Sequence, residues 1–157
     1  MSGAPELYCL VEAPKGSAAT TFTAVDHGEV PWPGDYGHFP DTLAGRGQPL
    51  AAIICASHPG VAGASVGVRP VALLRVAAST GISELVLCVA AHDPSWASVG
   101  DAADLPPYLR SELERFLGGQ PARRATGNPV AWGSAEEART AIDAAAARWA
   151  ATVNGHG

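Results

Sequence analysis

The chain has 157 residues, of which 47% are apolar and only 16% charged. That is the composition of one globular domain with its own core, not of a disordered segment. A formal net charge of −5 offers no basic footprint, so nucleic acid is not an expected partner. No apolar stretch approaches the roughly 18 residues of a membrane span, and the first residues lack a basic region followed by a signal-length apolar run. A cytoplasmic protein with no membrane partner is expected.

In chain order, residues 6–13 read as a strand closed by the turn Pro14-Lys15-Gly16-Ser17. Residues 20–25 are rich in the β-branched and aromatic types that strands favour, and Asp26-His27-Gly28 turns the chain back. The stretch from Trp32 to Ala51 is the corner around which the rest is arranged: a short strand with Asp35, Tyr36 and His38, a turn, then Gly45-Arg46-Gly47-Gln48-Pro49. Residues 50–56 lack polar alternation, as in a strand buried on both faces. Residues 64–76 form a long strand in which Pro70 marks a bend or an edge, and residues 84–91 another. Short strands punctuated by glycine and proline predict a small closed barrel.

The last third changes period. Asp104 is a candidate cap for a helix whose face carries Tyr108, Leu109, Leu113, Phe116 and Leu117, stopped by Gly118-Gly119. After a polar loop, residues 129–132 form a short strand. Ser134-Ala135-Glu136-Glu137 is a capping box that opens an alanine-rich helix to Val153, with Ile142 and Trp149 as its larger anchors. The three cysteines (Cys9, Cys55, Cys88) lie in apolar runs without C-x-x-C spacing and are expected as buried, reduced thiols. His27, His58 and His92 sit in turns without metal-like spacing.

The corner motif Pro33-x-Asp35-Tyr36-Gly37-x-x-Pro40-x-Thr42-Leu43-Ala44 resembles the signature of the soluble (family I) inorganic pyrophosphatases. So do Val11-Glu12-x-Pro14-Lys15-Gly16-Ser17, Val68-Arg69-Pro70-Val71-x-Leu73-Leu74 and Ala131-Trp132-Gly133-Ser134-Ala135-Glu136-Glu137-Ala138. The resemblance implies an α+β fold: a small closed, five-stranded, OB-like β-barrel flanked by two C-terminal helices. One domain spans residues 1–157, with its core at about 6–153. It also implies that Glu12 stands at a carboxylate position and Tyr36 at that of a phosphate-binding tyrosine.

Other positions depart from the pattern. Where the family's corner continues with three magnesium-binding aspartates, this chain has Arg46, Gln48 and Ala51. Ala78 and Ser83 replace two further aspartates, and Leu85 a lysine. Trp32 replaces a tyrosine, and Thr21 and Thr23 stand for a lysine and a glutamate. The segment after residue 25 is shorter than the family's and lacks its phosphate-contacting arginine. Magnesium is held by converging oxygen ligands, and Arg46 places a positive charge where a cation should bind. No metal or other cofactor is therefore expected.

The reading that follows is loss of magnesium-dependent pyrophosphate hydrolysis and conversion of the mouth into an apolar pocket for a small organic molecule. Its activity would be metal-independent acid–base, cyclisation, isomerisation or lyase chemistry, with specialised metabolism as the suggested setting. Glu12, Tyr36 and Arg46 are its catalytic candidates. Trp32, His38, Gln48, Thr21, Thr23, Ala51, Ala78, Ser83 and Leu85 would line it. Glu12 in an apolar strand could be a desolvated carboxylate or the structural partner of Arg46. Tyr36 could be a packed barrel tyrosine, and His38 a surface histidine. The second reading is a non-catalytic, ligand-binding or homo-oligomeric scaffold, and the third a residual diphosphatase.

Overall fold

The computed structural model describes residues 7–16, 33–44, 47–78, 81–118 and 130–154. Among the described residues, six strands and two α-helices appear in the order β1 (Leu7–Ala13), β2 (Asp35–Phe39), β3 (Leu50–Cys55), β4 (Ser65–Ala78), β5 (Gly81–Ala90), α1 (Pro107–Gly118), β6 (Val130–Gly133) and α2 (Ala135–Asn154). The sheet runs β1-β2-β3-β5-β4-β6, and a further β1–β4 pairing closes its first five strands into a ring. β6 lies against residues 73–76 of the long β4, while β1 pairs with residues 65–68. The expected α+β, five-stranded ring with two C-terminal helices is thus present, with β6 as a sixth strand. The expected strand at residues 20–25 lies outside the described residues.

β3 is buried on both faces, as its unbroken apolar run implies, and pairs in parallel with β5. Pro70 marks an irregularity: the β4–β5 register shifts between Pro70 and Ala72, the bulge that lets a proline sit within a strand. Two hydrophobic clusters occupy the two sides of the sheet. On the α2 side, Cys9, Val11, Phe39, Leu50, Ile54 and Cys88 pack with Ala138, Ile142 and Ala145. On the α1 side, Tyr36, Ile53, Leu74, Leu85 and Leu87 pack with Leu109, Leu113, Phe116 and Leu117. All three cysteines are buried and free. Burial pushes the Cys55 thiol up to about 12, which keeps it a protonated, inert thiol.

The helices depart from the sequence reading in small ways. Asp104 does not cap α1. It ends a 3-10 turn over Ala102–Asp104, where its carboxylate accepts the N–H groups of Gly100 and Asp101, and α1 begins only at Pro107. Tyr108 is 71% exposed, because one residue of helix turns it about 100° away from Leu109. The capping box of α2 is as read: Ser134 Oγ accepts the Glu137 N–H at 3.1 Å, and Glu137 Oε1 accepts the Ser134 N–H at 3.1 Å. Ile142 anchors the helix, whereas Trp149 is only partly buried and small alanines fill its place.

Candidate functional site

The corner owes its shape to three residues of the sequence motif. Asp35 is 3% exposed, and its carboxylate accepts the backbone N–H of Lys15 at 2.8 Å and that of Gly60 at 3.0 and 3.1 Å. It therefore pins the end of β1 and the loop after β3 to β2. Gly37 lies under Leu10, whose carbonyl oxygen would be 2.2 Å from any added Cβ. The Thr42 hydroxyl donates to the Phe39 carbonyl at 2.6 Å and accepts the Leu50 N–H at 3.0 Å, bracing the turn into β3. The Leu43 N–H donates to the Ala145 carbonyl, and Arg148 Nε donates to the Leu43 carbonyl, so the same turn carries the end of α2.

Of the candidate residues, Glu12, Tyr36, His38, Ala51, Ser83 and Leu85 lie on the α1 side of the sheet. Backbone pairing aligns Leu10, His38, Ala51, Leu85, Leu74 and Trp132 across it in one row. Between Val11 and Ala13 the register of β1 shifts against β2, leaving Glu12 as the extra residue of a bulge. From there Glu12 Oε2 lies 2.7 Å from His38 Nδ1. The Glu12 side chain is 43% exposed and that of His38 23%. The desolvated Glu12 expected from its apolar strand is therefore not found, because Cys9 and Val11 face the core while Glu12 faces out. Its partner here is His38, a pairing the sequence reading did not make.

Tyr36 is buried within the α1-side cluster. Burial and, secondarily, the charge of Glu12 push its phenol up to about 12, so it stays a protonated donor at neutral pH. Ala51 packs partly buried against the same cluster, Leu85 is fully buried in it, and Ser83 is partly buried. Leu85 thus belongs to the packed layer shared with α1 and does not line an open apolar mouth. Gln48 is exposed in the turn before β3, and Ala78 pairs with Gly81 at the β4–β5 turn. Thr21, Thr23, Trp32 and Arg46 lie outside the described residues.

Cavities elsewhere are lined by described residues. One of about 370 Å³ runs along α2 between Arg75, Glu84, Glu137 and Arg148. Another, about 620 Å³, brings together Ser57, His58, His92, Asp93 and Ser95, residues that sequence spacing kept apart.

The resemblance implies magnesium at this site, and the donor set does not fit a resident ion. Gln48, Ala51, Ala78 and Ser83 offer no carboxylate, Glu12 is engaged by His38, and among the described residues no three His, Cys, Asp or Glu side chains converge on a metal position. Among the described residues no helix is long and apolar enough to cross a membrane.

Comparisons with known proteins bear on what such a site does. The family model described as inorganic pyrophosphatase matches residues 10–150. The chain is 36% identical over 118 residues to an inorganic pyrophosphatase of Methanosarcina acetivorans, covering 69% of this chain and 70% of that protein. It is 30% identical over 149 residues to one of Leifsonia xyli subsp. xyli, covering 86% and 90%. The crystal structure of the Thermus thermophilus inorganic pyrophosphatase superposes with a TM-score of 0.78 at 27% identity, over 95% of this chain and 94% of that one. These findings overturn the expectation of a repurposed, metal-independent cyclase, isomerase or lyase, and that of a non-catalytic scaffold. The relatives that match most of the chain are named for a hydrolase.

Proposed function

Because the chain belongs to the inorganic pyrophosphatase family, we propose that it hydrolyses pyrophosphate to two phosphates. The observation that carries this reading is the match along residues 10–150, which includes the corner. The reading ranked last from sequence is the one the relatives favour. Nine substituted positions stand against a likeness that runs along residues 10–150.

The site geometry supports a slow version of the reaction. The substrate is magnesium pyrophosphate, so a divalent ion arrives with it. Tyr36, held as a protonated phenol, can donate to a phosphate oxygen, and Glu12 with His38 places a polar pair at the exposed edge of the same face. The missing carboxylates remove electrostatic stabilisation worth several kcal/mol in metal-assisted hydrolysis, or at least about 10³-fold in rate. A homo-oligomer is part of the same proposal, by likeness to the family, and light scattering on the purified protein reads it directly.

The test is phosphate release from pyrophosphate with magnesium, beside the Thermus thermophilus enzyme and a protein-free blank. Turnover above the blank, and about 10³-fold or more below the Thermus enzyme, is expected. Release no faster than the blank overturns the reading.

A further inference from the structure

Hydrolysis needs a group that takes a proton from the attacking water, and the α1-side face offers few. The three thiols are buried, and the Tyr36 phenol is pushed up to about 12, so neither is a base at neutral pH. His58 and His92 line the separate cavity beside Asp93. Glu114 of α1 is engaged by the Trp132 indole N–H at 2.8 Å, at the far end of the row, and in the corner itself the described residues offer the Glu12–His38 contact at 2.7 Å.

A carboxylate only accepts hydrogen bonds, so the imidazole places its hydrogen on Nδ1 and directs it to Glu12 Oε2. The neutral ring then carries its lone pair on Nε2, which has no hydrogen-bond partner among the described residues. The bulge at Glu12 is what allows this. In regular register Glu12 would stand one position further along the face, whereas the extra residue in β1 re-aims it onto the ring. Carboxylate, imidazole and open nitrogen form the arrangement in which a histidine acts as base while a carboxylate fixes its tautomer and steadies its cation.

Resting on the pyrophosphate reading above, we propose that His38 is the catalytic base of this site and that Glu12 is its positioning residue. Water attacks one phosphorus of magnesium pyrophosphate as Nε2 takes a proton from it. The new P–O bond forms while the bond from that phosphorus to the bridging oxygen breaks, and the oxygen leaves with the electron pair. The imidazolium returns its proton to that oxygen, so that one water and one pyrophosphate give two hydrogen phosphates and His38 is neutral again.

The experiment measures kcat for phosphate release from magnesium pyrophosphate by the wild type, His38→Ala, Glu12→Gln and the double variant, with thermal melts to show that each is folded. A base contributes about 10²–10⁴-fold. His38→Ala should therefore lose at least about 10²-fold in kcat with a wild-type melt, and added imidazole should restore part of it. Glu12→Gln should lose less, about 10-fold, and that loss should vanish in the His38→Ala background, because a positioning residue has nothing left to position. Two results overturn the pair while leaving the hydrolase reading standing: His38→Ala turning over like the wild type, or the two losses multiplying independently. Should the wild type itself release no phosphate above the blank, the hydrolase reading falls and the dyad with it.

Discussion

The two halves of the corner make opposite use of their side chains. From Gly34 to Thr42 two polar side chains that match the family motif are spent on this chain's own backbone: Asp35 on two N–H groups, Thr42 on a carbonyl and an N–H. From Gln48 to Ala51 the positions at which the resemblance implies metal ligands hold an exposed amide and a small packed methyl. A signature of this kind mixes two demands, closing the ring and holding a ligand, and they can separate within twenty residues. Carboxylates elsewhere tell the same story. Asp93 accepts the Ser57 N–H and hydroxyl, Asp101 the N–H groups of Ala102 and Ala135, and Glu137 the N–H of Ser134.

The sharpest way to break the contrast is to disturb the first half. In Gly37→Ala the new methyl would sit 2.2 Å from the Leu10 carbonyl oxygen, a backbone atom that cannot move aside without opening the β1–β2 pairing. A loss of about 4 kcal/mol or more is expected, at the extreme of single substitutions, read by urea unfolding at equilibrium. A variant within about 1 kcal/mol of the wild type would mean that β1 yields easily here, and the first half would lose its claim to be the rigid one.

The second half should behave in the reverse sense. Gln48→Asp combined with Ala51→Asp returns two carboxylates to the positions that the resemblance assigns to metal binding. Gln48 is exposed and should accept the change freely. Ala51 is partly buried against the α1-side cluster, where a neutral polar group costs about 1–3 kcal/mol and a carboxylate more, to the extent that it is kept from solvent. The double variant should stay folded and release phosphate at least about 10-fold faster with magnesium, an effect near 1.4 kcal/mol. An unchanged rate in a folded variant would show that these two positions alone do not account for a weak site.

How much of this was legible beforehand follows the same line. Strand alternation placed Tyr36 and His38 on one face, the unbroken run of β3 gave its burial, and the Ser134–Glu137 spacing gave the start of α2, since each is a local pattern with a local cause. Pro70 flagged the β4 bulge for the same reason. The Glu12–His38 contact was hidden because the bulge at Glu12 breaks the two-residue period and has no proline or glycine to announce it. Asp104 was misplaced because a 3-10 turn capped by Asp101 precedes α1 and takes its carboxylate. Leu85 was read as a pocket wall because sequence alone does not show that α1 covers it.

The smallest effect concerns the carboxylates that hold backbone. Backbone N–H donors lower the pKa of Asp93, chiefly the Ser57 N–H, of Asp101, chiefly the Ala135 N–H, and of Glu137, chiefly the Ser134 N–H. A carboxyl whose folded value lies below its ordinary 3.8 (Asp) or 4.5 (Glu) contributes stability that is complete above that ordinary value. The contribution drains away as pH falls through the lower, folded one. The melting temperature should therefore change little on this account from neutral pH to about pH 5 and decline below about pH 4.5. Asp101 and Glu137 are exposed and Asp93 is half-buried, so solvent screens these groups and the decline should be shallow. In Asp101→Asn, which keeps an acceptor for Ala135 but cannot titrate, the decline should be shallower still. If that variant declined as steeply as the wild type, Asp101 would not be one of the groups through which acid loosens the fold, and its bond to the start of α2 would owe nothing to charge.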